Sequence, residues 1–195
     1  DGKKPYRFVY NDLWDTLLAD PVAFESDKYL NDHHFHYGYL VMGSATLARY
    51  RPEWAAQNRA AVEEMILDVA NPDRGNSRYP FLRNFDPYAG HSWASGAQNF
   101  AGGNNQESSS ESMHFASAVI LWGTETGQPD LVELGAYLYA TEADAMWQYW
   151  FDKDDAVFPQ DFEHPVLGIV WSGGGAYATW WTANEEEIHG INFLP

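Results

Sequence analysis

The clearest periodic signal lies in residues 52–70. Pro52 suits the first position of a helix, and Trp54, Ala61, Met65 and Val69 recur near helical spacing. Glu53, Arg59, Glu63 and Glu64 supply a polar face, and Asn71-Pro72 marks the stop. Residues 33–50 also favour a helix, although Gly38 and Gly43 weaken its intrinsic propensity. Glycines at those positions would let another backbone or a ligand come close. A further helix is expected over 106–122, with Asn104 or Asn105 as its N-cap. Another should run from Pro129 to about 150, through a stretch rich in Ala, Leu, Tyr and Trp. Tyr6–Tyr10 reads as a short strand and Trp14–Leu18 as one or two helical turns. The pattern shows no internal repeat, heptad seam or low-complexity tail. The fold class it predicts is mainly α, with long ordered loops.

Two stretches break the periodicity. Residues 72–104 are rich in Gly, Pro, Asn and Ser, yet also carry Phe85, Tyr88 and Trp93. Loops of this length are uncommon and are often functional, and a disordered segment would hold fewer aromatics. An ordered binding loop is therefore expected. Residues 152–195 are also loop-rich. They contain Gly173-Gly174-Gly175, read as a turn, and Asn184-Glu185-Glu186-Glu187-Ile188-His189-Gly190.

Composition narrows the function. A chain of 195 residues is expected to form one domain with a sizeable core. Its 9 Trp, 12 Tyr and 11 Phe can fill that core, but Tyr and Trp also line ligand grooves. The net charge of −17 disfavours nucleic acid and anionic membrane surfaces as partners. The lack of cysteine excludes disulfides and Cys-ligated zinc. No apolar run approaches the length of a membrane span. Asp1-Gly2-Lys3-Lys4-Pro5 is polar and does not lead into an apolar region, so no signal peptide is expected in it. The start reads as the middle of something longer.

Two clusters carry candidate chemistry. In Asn104-Asn105-Gln106-Glu107-Ser108-Ser109-Ser110-Glu111-Ser112-Met113-His114-Phe115, a helix begun by 106 would set Glu107, Glu111 and, less squarely, His114 on one face. The bland reading is an acidic first turn that complements the helix dipole. Asn31-Asp32-His33-His34-Phe35-His36-Tyr37-Gly38-Tyr39 is the second cluster, and its bland reading is a solvated N-terminal turn capped by Asp32. Interleaved aromatics favour a buried or groove-lining setting instead. Glycoside hydrolysis uses two carboxyl groups with aromatics and no cofactor. A carboxylate in the first turn of a helix should stay ionised, as a base requires. An acid would need burial or a like charge to raise its pKa. A metal site stays open as an alternative, because Glu111-Ser112-Met113-His114 and Glu186-Glu187-Ile188-His189 both match the Glu-x-x-His spacing of di-metal bundles. Phosphate-loop, dinucleotide and Gly-x-Ser-x-Gly motifs are absent.

The Asn31–Tyr39 cluster resembles glycoside hydrolase family 81, the endo-β-1,3-glucanases. So do Phe85-Asp86-Pro87-Tyr88-Ala89-Gly90-His91-Ser92-Trp93-Ala94-Ser95-Gly96 and Gly103–Glu111. The closing Trp181–Asn192 fits the same family, and the motifs follow in family order. The resemblance implies an (α/α)6 barrel, of which this chain would be an incomplete helical toroid. Residues 1–195 would then be an N-terminal portion of the catalytic domain, with the remaining part of that domain as an expected partner. It implies inverting hydrolysis of β-1,3-glucan such as laminarin or curdlan, without a metal or other cofactor. Asp32 would be the general acid, Glu107 the base, and Glu111 the group that orients the water. His36, Tyr37, Asp86, Tyr88, His91, Trp93, Asn104 and, more weakly, Tyr177 would line the site or contact sugar. An extracellular or cell-wall location follows from the same resemblance. A glucan-binding fragment without turnover is the runner-up reading.

Overall fold

The computed structural model describes residues 7–98 and 100–192. A hairpin of β1 (Arg7–Asn11) and β2 (Thr16–Asp20) leads through the short α1 (Ser26–Tyr29) into two long helices, α2 (His33–Tyr50) and α3 (Pro52–Ala70). A long loop follows, pinned by the two-residue strands β3 (Phe85–Asp86) and β4 (His91–Ser92), and then β5 (Asn105–Gln106). Helices α4 (Ser109–Glu125) and α5 (Pro129–Tyr149) come next. The chain closes with β6 (Ile169–Trp171), β7 (Gly174–Ala176) and α6 (Glu185–Ile191). The molecule is mainly helical.

Helix α4 lies at the centre, packed on α2 and α5, and α2 also packs on α3. Val41, Ala45, Ile66, Ala118, Val119 and Trp122 are buried together in this layer. Removing such apolar surface from water is the main force holding it, at about 25 cal/mol per Å2. Gly38 allows the tight crossing of α2 and α4: a Cβ there would sit 3.2 Å from the Cα of Phe115. Gly135 does the same for α5, where a Cβ would come within 2.9 Å of the Ala116 carbonyl oxygen. A second cluster of Met113, Met146, Trp150, Leu167 and Val170 joins the helices to the antiparallel sheet β5-β6-β7.

Three local expectations are corrected. Trp14–Leu18 is not helical. The Asn11 side chain accepts from the N–H groups of Leu13 and Trp14, and the chain turns back into β2, with Leu17 opposite Tyr10. Cross-strand pairing, together with the contact of β2 with α3, outweighs the local helical tendency. Helix α4 begins at Ser109 with Ser108 as N-cap, so neither Asn104 nor Asn105 caps it. Asn105 and Gln106 are instead claimed by pairing with Trp171 and Val170. The tail is also more ordered than a loop-rich reading expects. Gly174 and Gly175 form β7 of a hairpin, and Asn184 caps α6 by accepting from the Glu187 N–H at 3.0 Å. Tyr6 lies outside the described residues. Among the described residues no helix is long and apolar enough to cross a membrane.

Candidate active site

Asp32 and Glu107 lie 75 positions apart in the chain and line one cavity of about 390 Å3, together with Tyr29, Ala94, Phe100 and Trp180. Asp32 is the N-cap of α2 and has a left-handed backbone (φ 61°), a conformation that a side chain with a Cβ rarely adopts. It is held there from both sides. Its N–H donates to the Ala94 carbonyl at 2.7 Å, and its carbonyl accepts from the His36 N–H at 2.9 Å. The carboxylate makes no capping bond and is free to face the cavity, where Asn31 Nδ2 donates to it at 2.6 Å. Burial pushes its pKa up. The Asn31 bond and the His36 charge oppose that, and the Glu111 charge adds to it.

Glu107 is not on the helix. It lies in the extended link between β5 and α4, so the expected shared helical face of Glu107 and Glu111 does not form. The helix dipole does not keep Glu107 ionised either. Desolvation, with the charges of Asp32 and Glu111, lifts its pKa to about 7, against one long hydrogen bond of 3.3 Å from the Trp180 N–H. Glu111 does stand in the first turn of α4. Its carboxylate accepts from the Tyr39 hydroxyl at 2.8 Å, and the Tyr39 ring packs on His114. The charges of Asp32 and Glu111 thus both bear on Glu107, and that of Glu111 bears on Asp32.

The other expected contacts divide. His36 is half-buried beside Asp32, with its ring packed on Phe24. Tyr37 points into the core: it is 3% exposed and its hydroxyl donates to the Leu17 carbonyl at 2.6 Å. It does not line the cavity, because the helical period puts it on the stripe of Val41 and Ala45. His91 is likewise buried, donating from Nδ1 to the Ser92 carbonyl and packing on Trp93 and Trp150. That enclosure lowers its pKa and removes it from sugar contact. Asp86 closes the β3–β4 turn: despite some desolvation, donors from Trp93, Tyr88 and Ala89 hold its carboxyl below the ordinary range. Tyr88 projects into solvent at that turn. Asn104 braces the loop, with Nδ2 donating to the Ser95 carbonyl at 2.7 Å. Tyr177 stacks on His164 at 3.7 Å, away from the carboxylates that line the cavity.

Several cavity residues carried no readable motif. Trp180 packs against Phe100 and Trp171, and its indole donates to the Asn105 side chain. The adjacent pair Trp180-Trp181, both exposed in a polar tail, is the signal that could have found it. A second hollow of about 400 Å3, around Tyr149, Phe158, Phe162 and Trp171, is apolar and has no carboxylate in its lining. Glu111-x-x-His114 and Glu186-x-x-His189 occupy different helices. Among the described residues, no three His, Asp or Glu side chains come together as metal ligands.

This arrangement can donate one proton and accept another inside a groove walled by aromatic rings. The sequence profile described as "Glycosyl hydrolase family 81 C-terminal domain" matches residues 1–195. A glucan endo-1,3-β-D-glucosidase from Thermobifida fusca is 50% identical over 191 residues, which cover 97% of this chain and 25% of that protein. An enzyme of the same name from Acetivibrio thermocellus is 48% identical over 197 residues, covering 100% of this chain and 26% of its own length. A solved structure of a glutamate-to-alanine mutant of a family 81 glycoside hydrolase from Clostridium thermocellum superposes with a TM-score of 0.92 at 49% identity. It covers 96% of this chain and 26% of that one. The chain therefore spans about a quarter of the length of the relatives it matches. On that match along its whole length, the chain belongs to glycosyl hydrolase family 81 and matches the family's C-terminal domain.

Proposed function

We propose that the chain carries the acid–base cleft of an endo-β-1,3-glucan hydrolase that inverts configuration. The observation that carries this reading is that Asp32 and Glu107 line one cavity and that both have raised pKa values there. In the mechanism, protonated Asp32 gives its proton to the glycosidic oxygen as the bond from C1 to that oxygen breaks. Ionised Glu107 takes a proton from a water whose oxygen attacks C1 from the other face. The products are a reducing end of inverted configuration and a free hydroxyl on the leaving sugar. Glu111, braced by Tyr39, orients that water. Room for the water calls for a carboxyl separation of about 6.5–9.5 Å.

The ligand-free pKa of about 7 on Glu107 fits this cycle because the charge of Asp32 is one of its causes, so a proton on Asp32 favours an ionised Glu107. Near neutrality the Glu107 carboxyl is poised between its protonated and ionised forms. A glycosidic oxygen bound beside Asp32 favours the proton on Asp32 and leaves Glu107 as the base. Tyr29, Phe100 and Trp180 offer flat apolar faces to sugar rings, and the neutral glucan suits an acidic surface. The chain would form part of an (α/α)6 barrel, as an N-terminal portion of the catalytic domain, and the rest of that domain would complete the groove. A polymeric substrate suits an enzyme that works outside the cell or at the cell wall.

The test is reducing-end release from laminarin, with the product anomer read by NMR. The α-anomer is expected first. Asp32→Asn should lose laminarin hydrolysis yet keep activity on an aryl β-glucoside oligomer whose leaving group needs no proton. Glu107→Gln should lose both. Equal recovery of both variants on the aryl substrate overturns the assignment. Laminarin binding without any release by the parent chain indicates a binding fragment instead.

A further inference from the structure

The acid and the base come from separate parts of the chain, and one residue joins them through its backbone. The Ala94 carbonyl accepts from the Asp32 N–H at 2.7 Å, while the Ala94 N–H donates to the Asn105 carbonyl at 2.7 Å. Ala94 thus sits as a rung between the residue that bears the acid and the strand that leads into Glu107. Where that rung lies depends on how residues 92–94 are anchored. Trp93 ties back through its N–H to the Asn84 carbonyl at 2.7 Å. Ser92 is anchored from below by Glu142 of α5, whose Oε1 accepts from the Ser92 N–H at 2.8 Å and from its hydroxyl at 2.6 Å.

The same serine reaches the base. Gln106 Nε2 donates to Ser92 Oγ at 2.6 Å and to the Ser92 carbonyl at 3.2 Å. Gln106 Oε1 accepts from the Ser108 N–H at 3.3 Å, so the side chain of the residue before Glu107 clasps the backbone of the residue after it. Ser92, Gln106 and Glu142 are each less than 5% exposed. The hydrogen bonds have one direction, from the Gln106 amide to the Ser92 hydroxyl to the Glu142 carboxyl. A carboxyl group is a costly way to fill a core position, since an apolar residue of similar size often serves stability as well or better. Burial lifts Glu142 to about 7, against its bonds with Ser92 and Ser112. Its retention in the core is explained by what it holds.

We propose that Ser92 and Glu142 are positioning residues that fix the separation of Asp32 and Glu107 through the Ser92–Ala94 segment and the Gln106 clasp. Neither touches substrate. The proposal rests on the reading of Asp32 and Glu107 as acid and base, but it concerns their spacing, which can be measured without turnover.

The experiment is a double-mutant cycle on the Glu107 titration in the 195-residue chain, read from the side-chain carboxyl carbon by NMR with 13C-labelled glutamate. Glu107→Gln assigns the signal. Asp32→Asn removes a like charge and should lower the Glu107 midpoint. In Ser92→Ala and in Glu142→Met that drop should shrink to about half or less, because the two carboxyls are no longer held at one spacing. Glu142→Gln keeps an oxygen that accepts the Ser92 bonds and should restore the full drop. A role in stability alone would lower the melting temperature and leave the drop unchanged. An unchanged drop in folded Ser92→Ala therefore overturns the proposal, as does the absence of any drop in the parent. Where Glu142→Met does not fold, Ser92→Ala decides. Undiminished sugar release by Asp32→Asn and Glu107→Gln would sink the catalytic reading while leaving the coupling result standing.

Discussion

Asp68 is a carboxyl taken fully out of water and Glu107 one taken partly out of it, and their surroundings treat them in opposite ways. Asp68, in the last turn of α3, is fully buried and surrounded by donors. Thr16 Oγ1 and the Leu17 N–H donate to one oxygen at 2.8 and 2.7 Å, His33 Nδ1 meets the other at 2.7 Å, and Arg83 stands 3.4 Å away. Among the described residues, Glu107 has one weak backbone donor and two like charges. A buried charge that is paired and hydrogen-bonded holds a fold together, whereas one left short of partners stores reactivity. The two regions touch. His33, held by Asp68, is the residue after Asp32, so the satisfied carboxyl helps hold the left-handed backbone from which the Asp32 side chain projects.

Exchanging each carboxyl for a neutral group separates these roles, and the largest effect is expected at Glu107. Glu107→Gln should cut the rate of laminarin hydrolysis by about 10^2–10^4, the usual range for a lost general base, with the far-UV circular dichroism unchanged. A loss of less than about tenfold in laminarin turnover breaks the contrast by making Glu107 an ordinary buried acid.

Asp68 should answer in stability. Asp68→Ala leaves His33 and Arg83 buried without their shared partner and should cost about 3–5 kcal/mol, measured as the shift in the urea midpoint at constant m-value. A cost below about 1 kcal/mol would show that water or a rearranged Arg83 replaces the carboxylate, and the distinction between the two sites would then rest on Glu107 alone.

A smaller effect probes the edge of the reactive cluster. Tyr39 is 56% exposed, and its hydroxyl serves Glu111 alone among the described side chains. Tyr39→Phe should lower the rate about tenfold, which corresponds to about 1.4 kcal/mol, within reach of a single hydrogen bond. The melting temperature should hardly move. A rate change equal to that of Glu111→Gln would show that Tyr39 is the whole means by which Glu111 acts.

The contrast also marks what the chain's own pattern reveals. The helical layer was legible because its signals are local: Pro52 and Pro129 start helices, Asn71-Pro72 stops one, and the apolar stripes follow the helical period. The same period, applied more strictly, separates Tyr37 from Tyr39. Tyr37 follows His33 by four positions and precedes Val41 by four, on the buried stripe, whereas Tyr39 turns outward to Glu111. The candidate carboxyls stand out in the sequence as residue types, whereas the geometry that brings them to one cavity does not. Glu107 was expected on a helical face, because nothing near it in sequence announces that Asn105 and Gln106 pair with β6, some sixty-five residues later. Trp180 and Ala94 reach the site, and Glu142 its supporting segment, through such distant contacts. Asp68 and its donors were silent for the same reason: Thr16, His33 and Arg83 converge from three separate elements or loops.

The smallest prediction tests the stored strain directly. A glutamate whose folded pKa is raised from about 4.5 to about 7 binds its proton more tightly in the fold than in the unfolded chain. Its contribution is fully present below the unfolded pKa and is lost as pH rises through the folded one. Above pH 7 the ionised group is therefore a liability. Glu107→Gln removes the charge and keeps the shape, so it should raise the melting temperature at pH 8 by a few degrees and leave it unchanged at pH 4, where both side chains are neutral. Asp68→Asn has no such charge to relieve: it trades a carboxylate held by His33 and Arg83 for a weaker acceptor and should lower the melting temperature at pH 8. If Glu107→Gln also lowers it there, Glu107 is a satisfied carboxylate like Asp68, and the difference between the two regions disappears. A gain in stability together with the loss of rate would mean that the cleft keeps Glu107 at the expense of the fold, which is expected of a group retained for chemistry.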